Sequence, residues 1–168
     1  MIWMFTAKAL GAACLLMLGG AVGTMRARRL KSRQELLEQM AVCLRSLGEM
    51  LSRHPGPTEE MLRRAAQVAG MALPLACDAS PLPQRLKTCF VRQSAQQTEV
   101  SKTEWSLFFD AVTALCTEDT LSVCRRLDYA RQRLEQLGEE ARECARVQGK
   151  LYQRMGIAAG AAAALVLM

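Results

Sequence analysis

Apolar residues gather at the two ends of the chain and recur at helical spacing between them. Residues 2–25, IWMFTAKALGAACLLMLGGAVGTM, are apolar apart from Thr6, Lys8 and Thr24, and from Met155 to Met168 there is no charged residue. In between, Leu37, Met40, Leu44, Leu47 and Leu51 repeat at alternating steps of three and four, the stripe of a helix packed on one face. Ser32 and Glu35 stand at capping-box spacing, so this helix is predicted over 32–53, and HPGP at 54–57 stops it. Thr58 is the predicted cap of a second helix, with Glu59 and Glu60 at the positive end of its dipole. Its apolar side is Met61, Leu62, Ala65, Ala66, Val68 and Ala69. Residues 70–83 hold three prolines and one glycine and read as a loop.

A short helix is predicted over 83–96. Ser101 and Glu104 form another capping box, followed by a face of Trp105, Phe108, Phe109, Val112 and Leu115 that runs through 116. Thr117, with Glu118 and Asp119, opens the longest helix. Leu121, Cys124, Leu127, Leu134, Leu137, Ala141, Cys144 and Val147 line it, and it continues toward the C-terminal run. No alternating strand pattern or hairpin turn occurs. The expected fold is an all-α antiparallel helical bundle in three parts: an N-terminal transmembrane helix over 1–25, a bundle domain over 26–154, and a C-terminal membrane segment over 155–168.

Charge sharpens that division. The formal net charge is +6, which raises nucleic acid as a partner until the charges are placed. Arg26, Arg28, Arg29, Lys31 and Arg33 fall in RARRLKSR, directly after the first apolar run, and Lys150 and Arg154 stand before the last one. Residues 34–149 carry fourteen Lys and Arg against sixteen Asp and Glu. The basic excess therefore flanks the apolar ends, and no nucleic-acid partner is expected. Both positive flanks face the middle of the chain, so the positive-inside rule places 26–154 in the cytoplasm and both termini outside, with membrane lipid as the first partner. A helix of about twenty residues spans about 30 Å of hydrocarbon, with Lys8 snorkelling and Trp3 and Phe5 at the interface. The final run extends only about 21 Å as a helix and needs tilt or local thinning to cross. Two rivals remain: a cleaved signal peptide, which lacks a clean A-x-A site and is followed by five positive charges, and a C-terminal tail packed on its own domain.

The residues offer little chemistry. Seven cysteines are scattered without a C-x-x-C pair, and His54, beside Pro55, is the single histidine, so no zinc set forms. An odd number of thiols fits a reducing compartment. The adjacent acids Glu59/Glu60, Glu118/Asp119 and Glu139/Glu140 point about 100° apart on a helix and do not aim at one substrate. No glycine-rich phosphate loop is present. The stretch RRLDYARQRLEQLGEEAREC is a mixed-charge helix face with pairs such as Arg131/Glu135. No catalytic residue, metal ligand or cofactor is expected.

The layout as a whole resembles the stage III sporulation protein AB family. The resemblance rests on RARRL after the first apolar run, then GPTEEMLRRAA, LFFDAVTALCTEDTLSVC, and the closing EEARECARVQGKLYQRMGIAAGAAAALVLM. Its most specific piece is K-L-Y-x-x-x-G, here Lys150, Leu151, Tyr152 and Gly156. P-x-x-E-x-L is here Pro57, Glu60 and Leu62, and a looser turn pattern falls on Leu115 and Asp119. Cys116 stands where the family has glycine, and Val123 where it has glutamine. The resemblance implies a non-enzymatic platform in a secretion-like complex linking mother cell and forespore during endospore formation. It would sit in the mother-cell (outer forespore) membrane with its domain facing the cytoplasm. The implied partners are other stage III sporulation proteins, above all a secretion-type ATPase, with self-association left open. A membrane-anchored signalling or adaptor bundle is the alternative.

Overall fold

Five helices account for the regular structure: α1 (Ile2–Arg53), α2 (Thr58–Ala69), α3 (Leu82–Gln96), α4 (Lys102–Ala114) and α5 (Thr120–Leu167). The computed structural model describes residues 2–53, 56–73 and 80–167; along 2–20, 22–23 and most of 149–167 it describes the backbone alone. Among the described residues there is no strand, as the periodicity requires. His54 and much of the 70–83 loop lie outside the described residues. The chain divides into two compact units, Arg33–Glu139 and Met1–Ser32 with Glu140–Met168.

Several helix boundaries differ from expectation, each for a local reason. Ser32 caps nothing, because α1 is continuous from Ile2. The residues leading into Ser32, Arg28, Arg29, Leu30 and Lys31, are strong helix formers, so the helix runs through it. Pro57, not Thr58, is the N-cap of α2 (φ −56°, ψ 123°), and its carbonyl accepts the Met61 N–H at 3.1 Å. At the other end Gly70 adopts φ 66°; its N–H donates to the Gln67 carbonyl and that of Met71 to Ala66, a Schellman closure that suits glycine at this position. The Ser101 box forms as expected: the Glu104 carboxylate accepts the Ser101 N–H at 2.7 Å, and the Ser101 hydroxyl accepts from Thr103.

Helix α4 stops at Ala114, and the N–H groups of Leu115, Cys116, Thr117 and Glu118 fold back onto carbonyls of 112–114. Thr117 is consumed in that turn, so Asp119 takes over the start of α5, accepting the Ser122 N–H at 3.3 Å. Those bonds hold the Asp119 carboxyl below the usual carboxylate range. Among the described residues no non-glycine has positive φ, which explains why cysteine is tolerated at 116. Val123 is buried, so an apolar side chain suits that position as well.

Within Arg33–Glu139, the α1 stripe packs Leu37, Met40, Leu44 and Leu47 into the core, with Leu51 only half-buried. Trp105, Phe108 and Phe109 interlock, with Phe108 and Phe109 edge-to-face at 5.4 Å, and Phe90 from α3 meets Phe109 at 5.3 Å. With only residues 97–101 between α3 and α4, the Phe90–Phe109 contact at their middles fits antiparallel neighbours. Helices α1 and α5 are antiparallel too, since Arg45 pairs with Glu135 and Gly138 lies opposite Leu37.

Helices α2 and α3 depart from the antiparallel expectation. Arg85, in the first turn of α3, donates to both Glu59 carboxylate oxygens at the start of α2, at 2.8 and 3.0 Å. Gln93, near the end of α3, donates to the Ala72 carbonyl just past α2. The two helices therefore run in the same direction, a pairing that the long connection between them permits. Some positions assigned to apolar faces point outward: Val68 is 66% and Leu121 73% exposed, and Cys144 and Val147 are exposed as well.

Three ionic contacts tie helices across this unit. Arg33 reaches the buried Glu104 at 2.6 Å, Arg85 holds Glu59, and Glu135 accepts from Arg45 at 2.6 Å and Arg131 at 3.0 Å. Partial burial works to raise the Glu135 carboxyl, but the bonds from Arg45 and Arg131 outweigh it and keep it below the ordinary range. A lowered folded-state value means this bridge contributes fully above the unfolded carboxylate value of about 4.3 and is lost as pH falls through the folded one. Glu135→Gln is therefore expected to lower the melting temperature at pH 7 and to shrink its difference from wild type as acid is added below about pH 4.3. Melting curves of both proteins from pH 7 to pH 3 check this; a difference that does not shrink in acid would contradict it.

The other unit consists of helical segments from α1 and α5. Arg26, Arg28, Arg29 and Lys31 on α1, and Arg142, Arg146 and Arg154 on α5, are exposed. Among the described residues no helix is long and apolar enough to cross a membrane. The side chains of residues 2–20 and most of those in 155–168 lie outside the described residues, so the two membrane readings fall there. Helix α5 does run unbroken from Thr120 to Leu167, as its periodicity suggested.

Candidate docking surface

Helix α1 ends between two open clefts that share residues. One, of about 450 Å³, lies between α1 and α5 and is lined by Leu44, Arg45, Gly48, Ser52, Asp128 and Arg131, among others. Gly48 forms part of its floor, and a Cβ built there would meet nothing within 4 Å. The other, of about 410 Å³, lies between α1 and α2 and is lined by Ser46, Met50, Gly56, Pro57, Glu60 and Arg64, among others. Glu49 and Arg53 of α1 border both.

The lining is charged but nearly balanced: Arg45, Arg53, Arg64 and Arg131 against Glu49, Glu60 and Asp128. Arg131 is braced by Asp128 at 3.5 Å and by Glu135, and Arg64 is held by Glu60 one turn earlier. Such exposed pairs add little to stability, about 0–1 kcal/mol each, but fix where charge is presented. Met50 and Met61 add an apolar, adaptable patch within the second cleft.

The residues singled out from the sequence are distributed rather than gathered. Pro57 and Glu60 line the second cleft, while Leu62 is fully buried. Asp119 caps α5. Lys150, Leu151, Tyr152 and Gly156 lie on the helical backbone of α5, with Leu151 exposed and the side chains of the other three outside the described residues. The clefts had no signature in the sequence, because they arise where α1 meets two helices distant in the chain. Arg53 and Glu49 carried only the signal of polar positions between the buried stripe residues.

Burial pushes the Cys43 thiol up to about 12, and it raises Cys89 and Cys116 as well. Cys43, Cys89, Cys116, Cys124 and Cys144 are free thiols. Among the described residues no group of three His, Cys, Asp or Glu side chains could hold a metal ion.

Fold and surface together define an all-α helical-bundle protein bearing open, charge-lined clefts. The chain belongs to the stage III sporulation protein AB family, whose model matches residues 8–168. That membership gives the protein a role in sporulation. No curated protein and no solved structure matches the chain.

Proposed function

We propose that the protein is a non-enzymatic membrane platform of a secretion-like complex between mother cell and forespore. Its bundle faces the mother-cell cytoplasm and docks a secretion-type ATPase. The observation that carries this reading is the double cleft around the end of α1, where the pattern residues Pro57 and Glu60 meet a mixed-charge rim. A rim of alternating sign favours one complementary partner and one register, and disfavours general attraction to polyanions. The membrane part rests on sequence: residues 9–25 and 155–168 carry no charge, and basic residues flank both runs on the side of the domain. The mechanism is positional, with docking or movement of the ATPase passed through the bundle to membrane components.

Reversing Arg53 and Arg64 together (Arg53→Glu, Arg64→Glu) is expected to weaken binding of the ATPase at least about tenfold, a loss of about 1.4 kcal/mol or more, and to lower spore yield. Both arginines are exposed, so circular dichroism and melting temperature should stay near wild type. A folded variant that captures the ATPase and sporulates normally would remove these clefts as the docking surface.

A further inference from the structure

The first turns of α5 bury one side and leave the other open. Val123, Leu127, Ala130 and Leu134 are in the core of the Arg33–Glu139 unit. Leu121, Arg125, Tyr129 and Arg133 fall on the opposite side of the helix, each exposed, with Leu121 at 73% and Tyr129 at 66%. Spaced four residues apart, they make one ridge in which apolar and basic side chains alternate in steps of about 6 Å. None of the four lines either cleft.

The two arginines of the ridge differ from their neighbours in what they bond. Arg126 is neutralised by Glu118 at 2.9 Å, and Arg131 by Asp128 and Glu135. Arg133 donates to the neutral Gln136 amide oxygen at 3.1 Å, and among the described residues no carboxylate pairs with it or with Arg125. Isolated exposed apolar residues are ordinary on a protein surface. Tyrosine and arginine together, however, are the types enriched where interfaces are anchored, and Leu121 extends the apolar part of this ridge.

We propose that this ridge docks an acidic amphipathic helix of another protein, one whose own ridge alternates apolar and acidic side chains every four residues. The partner's carboxylates take Arg125 and Arg133 through paired N–H···O bonds, and its apolar residues cover Leu121 and the Tyr129 ring. Charge decides against a polyanion. Residues 118–140 hold four cations and six acids, so a nucleic acid or an anionic bilayer meets no net attraction there. Only an acid narrow enough to reach the ridge alone meets positive charge. A ridge about 18 Å long makes a contact below the roughly 1,200 Å² of a stable interface, so the partner exchanges quickly. This surface stands independently of the clefts and of the platform reading.

The probe is a fluorescein-labelled peptide of alanine and glutamine with leucine and glutamate alternating at every fourth position, titrated with the full chain in detergent micelles. Anisotropy is expected to give a Kd of about 10–100 μM, weakened at least about tenfold when lysine replaces the glutamates. Arg125→Gln with Arg133→Gln should weaken binding at least about fivefold and remove most of its salt dependence. Tyr129→Ala should weaken it at least about threefold and leave the salt dependence as it was. Lys87→Gln with Arg92→Gln, at exposed α3 positions, should change neither. Equal binding of the glutamate and lysine peptides, or full binding by the arginine variant, overturns the ridge as a site. Release of the peptide by duplex DNA at equal charge assigns the arginines to nucleic acid and overturns it too. In sporulating cells, Gln132→p-benzoylphenylalanine places a photo-crosslinker at an exposed position of the same helix side. It should join the chain to a segment of another protein with the apolar–acidic alternation. Crosslinks to a second copy of this chain, to nucleic acid or to a segment without acids, or no crosslink at all, overturn the proposal.

Discussion

Phe108→Ala is expected to cost about 3–5 kcal/mol of folding stability, enough to leave the bundle largely unfolded at growth temperature. Phe108 is 0% exposed and lies edge-to-face with Phe109 at 5.4 Å and with Trp105 at 6.4 Å. Truncating it removes the buried ring and leaves a cavity bounded by two other rings, which cannot collapse without breaking their own contacts. Phe108→Leu retains most of the volume and should cost roughly half as much. Denaturant unfolding of the full chain in detergent, followed by Trp105 fluorescence in a Trp3→Phe background, reads both changes. A midpoint for Phe108→Ala near that of the wild type would show that the aromatic cluster is not the centre of the core.

Glu104→Ala is expected to cost about 2–4 kcal/mol, by a different route. This carboxylate is 6% exposed and makes two bonds: to the Ser101 N–H, closing the capping box of α4, and to Arg33 at 2.6 Å. Alanine removes both, so the cap and the tie between α1 and α4 fail together. Glu104→Gln keeps a capping acceptor and loses the charge, and should cost about 1 kcal/mol less than alanine. Arg33 is partly open to solvent, which screens the pair, so a double-mutant cycle with Arg33→Ala should give a coupling of about 1–2 kcal/mol. Additive single effects would mean that the cap alone accounts for the loss. The same unfolding measurement decides among these outcomes.

Both sites were partly legible in the sequence. The aromatic face and the Ser101–Glu104 box were read from spacing alone, since a capping box and an i, i+3, i+4 stripe are set by residues a few positions apart. What was missed depends on competition or distance. The Ser32–Glu35 box has the same spacing as Ser101–Glu104, yet it lies inside an uninterrupted helix; the strong helix formers Arg28, Arg29, Leu30 and Lys31 precede Ser32, whereas the β-branched Thr98 and Val100 precede Ser101. Thr117 and Asp119 both suit a cap, and the turn closing α4 decides between them. The shared direction of α2 and α3, the Arg33–Glu104 pair and the double cleft involve residues tens of positions apart, which periodicity does not connect. Val68 and Leu121 were assigned inward because they are apolar, though a helix face at the edge of a bundle leaves such residues exposed.

Topology is the measurement on which the platform account most directly depends. Gln96 is exposed at the last residue of α3, so a single cysteine there, in an otherwise cysteine-free variant, reports the side on which the bundle lies. A membrane-impermeant maleimide should label Gln96→Cys in permeabilised protoplasts and leave it unlabelled in intact ones, placing the bundle where a cytoplasmic ATPase can reach it. Labelling in intact protoplasts would put the bundle outside and contradict the account.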